Sequence, residues 1–104
     1  MQIQQMMIDN YRRVSAAVEQ AAGGHDRWTG SLLLVEDTYV HGAELSRTQD
    51  SVQLRGHQDT GDGSSTALFY ERQGSTVYLR ERDGGLREMV FNTNTGAITE
   101  FYES

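Results

Sequence analysis

The chain has 104 residues, a formal net charge of −6, no cysteine and no proline; its length suits one domain, and disulfides and thiolate metal sites are excluded. All nine basic residues are arginine, so the lysine of Schiff-base enzymes and of phosphate-binding P-loops is absent as well. An acidic chain repels nucleic-acid phosphates, and the longest apolar run, residues 32–35, is far shorter than the ~20 residues that cross a bilayer. We therefore predict a single domain, residues 1–104, that binds neither nucleic acid nor membranes.

The N-terminal segment predicts one amphipathic helix over about residues 2–22. Apolar side chains recur at spacings of four and three, which places them on one helix face: Ile3, Met7, Tyr11, Val14, Val18 and Ala21. Gly23 and Gly24 follow this stripe, and a glycine in the left-handed conformation commonly ends a helix. Met6 adds apolar surface beside the stripe, which indicates either a second contact surface, as in a dimer, or a frayed first turn.

The rest of the chain, about residues 28–103, predicts six to seven antiparallel strands. Turn formers separate short segments of β-type composition: RWTGSLLLVED, TYVHGAELSR, DSVQLRGH, STALFYER, STVYLRER, LREMVF and GAITEFYE. The connections are short; the segment at 72–75 suits a two-residue hairpin turn with Gly74 at positive φ. Short turns favour pairing between successive strands. The predicted fold class is α+β, with one helix packed on a mostly meander sheet.

Several predicted strands carry apolar residues on both faces. Val77 and Leu79 alternate with Tyr78, and Met89 is followed by Val90. One short helix covers only one face of a sheet. The other face is therefore expected either to curl with the sheet into a half-barrel or to be covered by a partner.

The residues that we predict to bind a partner are tyrosines and arginines of the sheet, together with the single tryptophan. Tyrosine and arginine are favoured at the centres of interfaces, and the predicted set is Tyr70, Tyr78, Arg80, Arg82, Tyr102 and Trp28. All of these except Trp28 are expected to share one face of the sheet. The alternative for the sheet residues is a solvated face with weak cross-strand charge pairs. The alternative for Trp28 is a place at the end of the core, against the helix.

No predicted constellation carries catalysis, a metal or a cofactor. In the polar run GHQDTGDGSST at 56–66, the spacing of Asp59 and Asp62 does not fit a calcium loop, so we predict a connecting loop. His41 and Glu44 are three residues apart, and on a regular strand they would point to opposite faces. No serine lies in a motif that predicts a strained nucleophile, and no histidine has a predicted carboxylate partner that would position it as a base.

Two function classes remain. The first is a non-enzymatic protein-binding module (an inhibitor, an immunity-type protein or an assembly subunit) with a basic protein partner or a second copy of itself. The second is a small-ligand binder or enzyme with a pocket between the helix and the concave sheet, using His41 or His57. The first residues do not resemble a signal peptide, which predicts a cytoplasmic protein or a trimmed secreted form.

Two partial resemblances accompany these hypotheses. The run STALFYERQGSTVYLRERDGGLREMVFNTNTG resembles the C-terminal sheet of minor pseudopilins, although the hydrophobic N-terminal segment of that family is not in this sequence. The closing VFNTNTGAITEFYE is similar to the last strands of cone-shaped proteins of the nuclear-transport-factor type, whose early helices are not found here. The first resemblance implies a soluble domain of an assembly subunit.

Overall fold

A computed structural model describes residues 2–22, 25–34 and 38–104 of the chain. It contains one helix, α1 (Ile3–Ala22), followed by β1 (Arg27–Leu33), β2 (Tyr39–Arg47), β3 (Ser51–Asp59), β4 (Ser65–Gln73), β5 (Thr76–Arg82), β6 (Leu86–Asn92) and β7 (Ala97–Glu103). Each strand pairs antiparallel with the next, in the order β1 to β7, and the sheet is open. The predicted α+β fold with a meander sheet is thus confirmed. The predicted extension of the first strand to residues 35–37 lies outside the described residues.

Helix α1 lies on one face of the sheet, which we call the inner face. Met7, Val14 and Val18 of the predicted stripe are buried, whereas Ile3 is 39% exposed at the first turn. The predicted stripe is therefore confirmed except at its start. The predicted end of the helix at Gly23 and Gly24 lies outside the described residues. Within the described part of the chain, no helix is long and apolar enough to span a membrane.

The hydrophobic core fills the space between α1 and the inner face. Its sheet side chains come from six strands: Leu32, Val40, Ala43, Leu45, Leu54, Leu68, Tyr70, Val77, Leu79, Met89 and Phe91. The ring of Tyr11 on α1 stacks on Tyr70 at a centroid distance of 6.3 Å and tilts against Phe91 at 5.3 Å. These aromatic contacts fix the helix over the centre of the sheet, between β4 and β6.

A β-bulge in β2 changes which side chains share a face. His41 pairs with His57 and Glu44 pairs with Arg55, so three steps along β2 match two steps along β3. The extra residue is Gly42, whose φ of +58° lies in the left-handed region that favours glycine. His41 and Glu44 therefore lie on the same face, and the prediction that they point to opposite faces is wrong. The prediction assumed a regular strand. The added residue of the bulge shifts the alternation of side chains by one, so Glu44 points to the same side of the sheet as His41.

The polar run at 56–66 is part strand and part turn. Residues 56–59 complete β3, and the turn that follows joins it to β4, so the prediction of a connecting loop is confirmed for the turn residues. The turn is organised by Asp62, whose carboxylate accepts hydrogen bonds from the hydroxyls of Ser64 and Thr60 and from the backbone N–H of Ser64. These donors, with the Ser64 hydroxyl first, lower the pKa of Asp62 to about 2.

Candidate interaction face

The second face of the sheet, which we call the outer face, is not covered by any described helix or strand. Cross-strand pairing sets the order of side chains on it: Arg55 lies beside Phe69, Phe69 beside Arg80, and Arg80 beside Glu88. The next row carries Tyr78 and its neighbours. An apolar and charged row thus runs across the centre of a surface that α1 leaves open.

Phe69 is the centre of the outer face. The guanidinium carbon of Arg55 lies 5.5 Å from the centre of its ring, and that of Arg80 lies 5.2 Å away. Tyr78 contacts the same ring edge-on, with 5.9 Å between the ring centres. Cation–π contacts of this kind restrict where an arginine side chain can point. Two guanidinium groups are therefore held beside one half-buried aromatic ring.

The predicted two-sidedness of the sheet is confirmed. Phe69, Tyr78 and Val90 are half-buried on the outer face, while their strand neighbours Leu68 and Val77 are buried on the inner face. The apolar area of the outer face extends to the β1–β2 end of the sheet, where Leu33 is 51% exposed and faces Tyr39 across the strands. It is interrupted by charged side chains.

The charges of the outer face nearly balance. Among the described residues, its basic members are Arg27, Arg55, Arg80 and Arg82, and its acidic members are Glu44, Asp59, Glu71, Glu88 and Glu100. Among the described residues, no carboxylate lies within salt-bridge distance of Arg55, Arg80 or Arg82. Partial burial, and then the nearby charge of Glu88, raise the pKa of the Tyr78 hydroxyl. The three arginines are available to a partner.

Four of the six residues predicted to bind a partner lie together on the outer face. Tyr78, Arg80 and Arg82 alternate along β5, and Tyr102 on β7 faces Glu88 and is 54% exposed. The sequence prediction missed Arg55 and Phe69. Their proximity depends on the pairing of β3 with β4 across a turn of five residues, and no turn motif fixes that register.

The prediction that Tyr70 shares a face with Tyr78 is wrong. Tyr70 pairs with Leu79 on the inner face, is 2% exposed, and donates its hydroxyl hydrogen bond to Ser15 Oγ over 3.4 Å. Burial raises the pKa of its hydroxyl. The two-residue turn predicted at Gly74 already determines this register, because Gln73 then pairs with Thr76 and every earlier pair follows in step.

Trp28 lies on the inner side of the sheet, away from Tyr78. It is half-buried, pairs with Leu45 and packs against the core at the end of the sheet. Its ring covers Gly30, where an added Cβ would come within 3.1 Å of the indole. This position favours the core alternative for Trp28 over the interface alternative.

Three of the open cavities of the described residues lie beside the outer face or beside α1. One of about 450 Å³ on the outer face is lined by His57 and Glu44 together with Arg55, Arg80 and Arg82. Two others lie beside α1, one of about 510 Å³ at the end where the β2–β3 turn lies and one of about 610 Å³ at the start of the helix. Both inner cavities are lined by carboxylates, and no histidine of the described residues lines either of them.

The cavity at the start of α1 borders a polar network. Asn10, which is 4% exposed, donates to Gln58 Oε1 over 3.0 Å and to Glu81 Oε2 over 2.6 Å, and it accepts from Gln58 Nε2 over 2.9 Å. Glu81 in turn binds Arg87 at 3.3 Å, and Arg87 reaches Asp83 at the same distance. Burial opposes the charge of Arg87, but Glu81 and Asp83 together raise its pKa. The network joins α1 to β3 and β5 with its hydrogen bonds satisfied.

His41 is the histidine with a clear carboxylate partner. Its Nε2 lies 3.0 Å from the carboxylate of Asp59, and its ring stacks on Tyr39 with 5.9 Å between ring centres. Both members of the pair are solvent-exposed. Across the described ranges 2–22, 25–34 and 38–104, no three histidine, aspartate or glutamate side chains come together as a metal site.

Comparison with known proteins adds no assignment to this geometry. No protein-family model matches the chain, and no curated protein or solved structure is significantly similar to it. The resemblances to minor pseudopilins and to nuclear-transport-factor proteins therefore rest on the quoted residues alone.

Proposed function

We propose that this protein is a protein-binding module that acts through the outer face of its sheet, as an inhibitor, an immunity-type protein or an assembly subunit. The observation that carries the proposal is the cluster of Phe69, Arg55, Arg80 and Tyr78 at the centre of a face that α1 does not cover. Aromatic residues and arginine dominate the binding energy of interfaces when they are central and can be desolvated.

The geometry of the cluster suits a binding role because its side chains are held in place before a partner arrives. Arg55 and Arg80 are stacked on one ring, so less side-chain freedom is lost when they bind. Their polar edges are not used by carboxylates of the described chain. The chain as a whole, at −6, favours a basic partner at long range, whereas the charges of the outer face itself are nearly balanced.

The test of the proposal is capture of a partner from the native host with matched baits. The variant Tyr78→Ala/Arg80→Ala removes two side chains of the cluster, and the control Arg12→Ala/Gln20→Ala removes two exposed side chains of α1. We expect a protein identified by mass spectrometry to be retained by the wild type and the control and lost with the outer-face variant. Equal retention by all three baits would contradict the proposal.

A second candidate function is binding of a small carboxylate in the cavity of about 510 Å³ beside α1. The cavity is lined by Arg47, Arg72, Tyr70 and Ser15, and also by the carboxylates Glu19 and Asp50, of which Glu19 already pairs with Arg72 at 3.7 Å. The Nε of Arg47 is buried without a hydrogen-bond partner, and such donors usually have one. A carboxylate library screened by thermal shift should raise the midpoint of the wild type and not that of Arg47→Gln. An equal rise in both proteins, or no rise in the wild type, would remove this candidate.

A further inference from the structure

We propose that the partner of the outer face is a second copy of this chain, bound face to face about a two-fold axis. The inference rests on the proposed function and names its partner. It is carried by the area of the face, by its balance of charge and by the order of its charged side chains across the strands.

The outer face is large enough for a stable dimer. Seven strands about 4.8 Å apart span about 29 Å, and seven residues along a strand span about 23 Å. The molecule measures 35 × 34 × 21 Å, so the sheet extends across its two long dimensions. The face therefore offers roughly 700 Å² per copy, or about 1,400 Å² for the pair, which lies within the range of about 1,200–2,000 Å² buried in total by stable interfaces.

The charge of the outer face permits two acidic molecules to meet there. Each copy carries −6, so contact between most parts of their surfaces is repulsive. The part of the outer face that the structure describes instead has four arginines against five carboxylates, and one of those carboxylates, Asp59, is already paired with His41. Self-association through this face brings together two nearly neutral surfaces.

The charged side chains of one copy can face opposite charges on a second copy. The arginines Arg55 and Arg80 lie on β3 and β5, and Glu88 lies on β6 in the same row. A two-fold axis parallel to the strands and midway between β4 and β5 places β3 of one copy opposite β6 of the other. Arg55 then faces Glu88 of the second copy, and Phe69 faces its Arg80; each contact occurs twice, as two-fold symmetry requires. The half-buried ring of Phe69 becomes covered in such a dimer.

The dimer is tested by sedimentation equilibrium on the full chain with charge reversals. We expect the wild type to dimerise, and Arg55→Glu and Glu88→Arg each to raise the dimer dissociation constant at least about tenfold, because each places like charges opposite one another twice. The double variant Arg55→Glu/Glu88→Arg restores both pairs and should dimerise again. Arg12→Glu, on the exposed side of α1, is the control that keeps the dimer. Circular dichroism of each variant verifies the fold.

Three outcomes overturn the inference: a monomeric wild type, a dimer that survives both single reversals, and a double variant that stays monomeric. A wild type that is monomeric and still captures another protein through Tyr78 and Arg80 overturns the dimer alone and leaves the proposed function standing. In that case the captured host protein, acidic or basic, is the partner of the outer face.

Discussion

Asn10 is a buried polar side chain of α1, and its hydrogen bonds to the sheet set the orientation of the helix as well as holding it there. Apolar contacts such as that of Val14 hold the helix on the sheet without a preferred direction, whereas the hydrogen bonds to Gln58 and Glu81 are directional. The helical stripe could be predicted from spacing, but this network could not. It joins residues that are 48 and 71 positions apart in sequence.

We predict that Asn10→Ala lowers the free energy of unfolding by about 1–3 kcal/mol, because it leaves polar atoms of Gln58 and Glu81 without partners in a partly buried site. The control is Gln5→Ala, which removes an exposed bond to Asp9 on the same helix and should change the free energy by less than about 0.5 kcal/mol. Urea denaturation measures both. Equal effects of the two substitutions would show that the network does not stabilise the fold.

Asp62 gives a prediction for pH. Its pKa of about 2 in the folded chain lies below the ordinary value of 3.8, so its contribution to stability is present above about pH 4 and is lost as the pH falls towards 2. Substituting Ser64→Ala removes the hydroxyl that lowers this pKa most and should move it towards 3.8. Carboxyl-detected NMR titration of the two proteins measures the shift. An Asp62 pKa near 3.8 in the wild type would contradict the hydrogen bonding of the turn.

At the scale of the elements, the helix and the seven strands could be predicted because periodicity and turn residues are local signals. The register of β4 with β5 could be predicted too, since the turn at Gly74 determines it, and applying it would have placed Tyr70 on the inner face. The bulge at Gly42 could not be predicted. A glycine between His41 and Ala43 is equally consistent with a regular strand, and only the pairing with β3 shows the added residue.

Gly56 of β3 lies opposite the bulge of β2, and the close packing at this position can be tested. A Cβ on Gly56 would lie 2.6 Å from Val40 Cγ1 and 3.0 Å from the backbone oxygen of His41, so a side chain at this position would overlap Val40 and press on the backbone beside the bulge. We expect Gly56→Ala to lower the free energy of unfolding by about 1–3 kcal/mol through overpacking.

The control for this substitution is Gly85→Ala. A Cβ at Gly85 would be 3.6 Å from its nearest neighbour, an oxygen of Ser104, which is ordinary contact. We expect a change of less than about 0.5 kcal/mol in urea denaturation. An alanine at Gly56 that leaves the free energy of unfolding unchanged would contradict this close packing against Val40 and His41.

At the scale of the whole molecule, the two faces of the sheet have different roles. The inner face holds the buried apolar side chains under α1, and the outer face arranges half-buried aromatics among charges. Substitutions on the outer face should therefore affect binding rather than folding. The sequence predicted an apolar contribution to both faces, but the Phe69 cluster depends on three adjacent strands in register and became visible only in the structure.

We predict that Tyr78→Ala/Arg80→Ala keeps the far-ultraviolet circular dichroism and the cooperative unfolding of the wild type, since neither side chain contributes to the buried core. The same variant should lose association. Loss of cooperative unfolding in this variant would instead show that these two side chains stabilise the fold.

Photo-crosslinking from single positions in the native host shows directly whether the outer face contacts another protein. A photoreactive phenylalanine analogue at Tyr78 lies on the outer face, and the same group at Gln20 lies on the exposed side of α1. We expect a discrete crosslinked product, a second copy of the chain or another protein, from position 78 and none from position 20. A product from position 20 with none from position 78 would contradict this expectation.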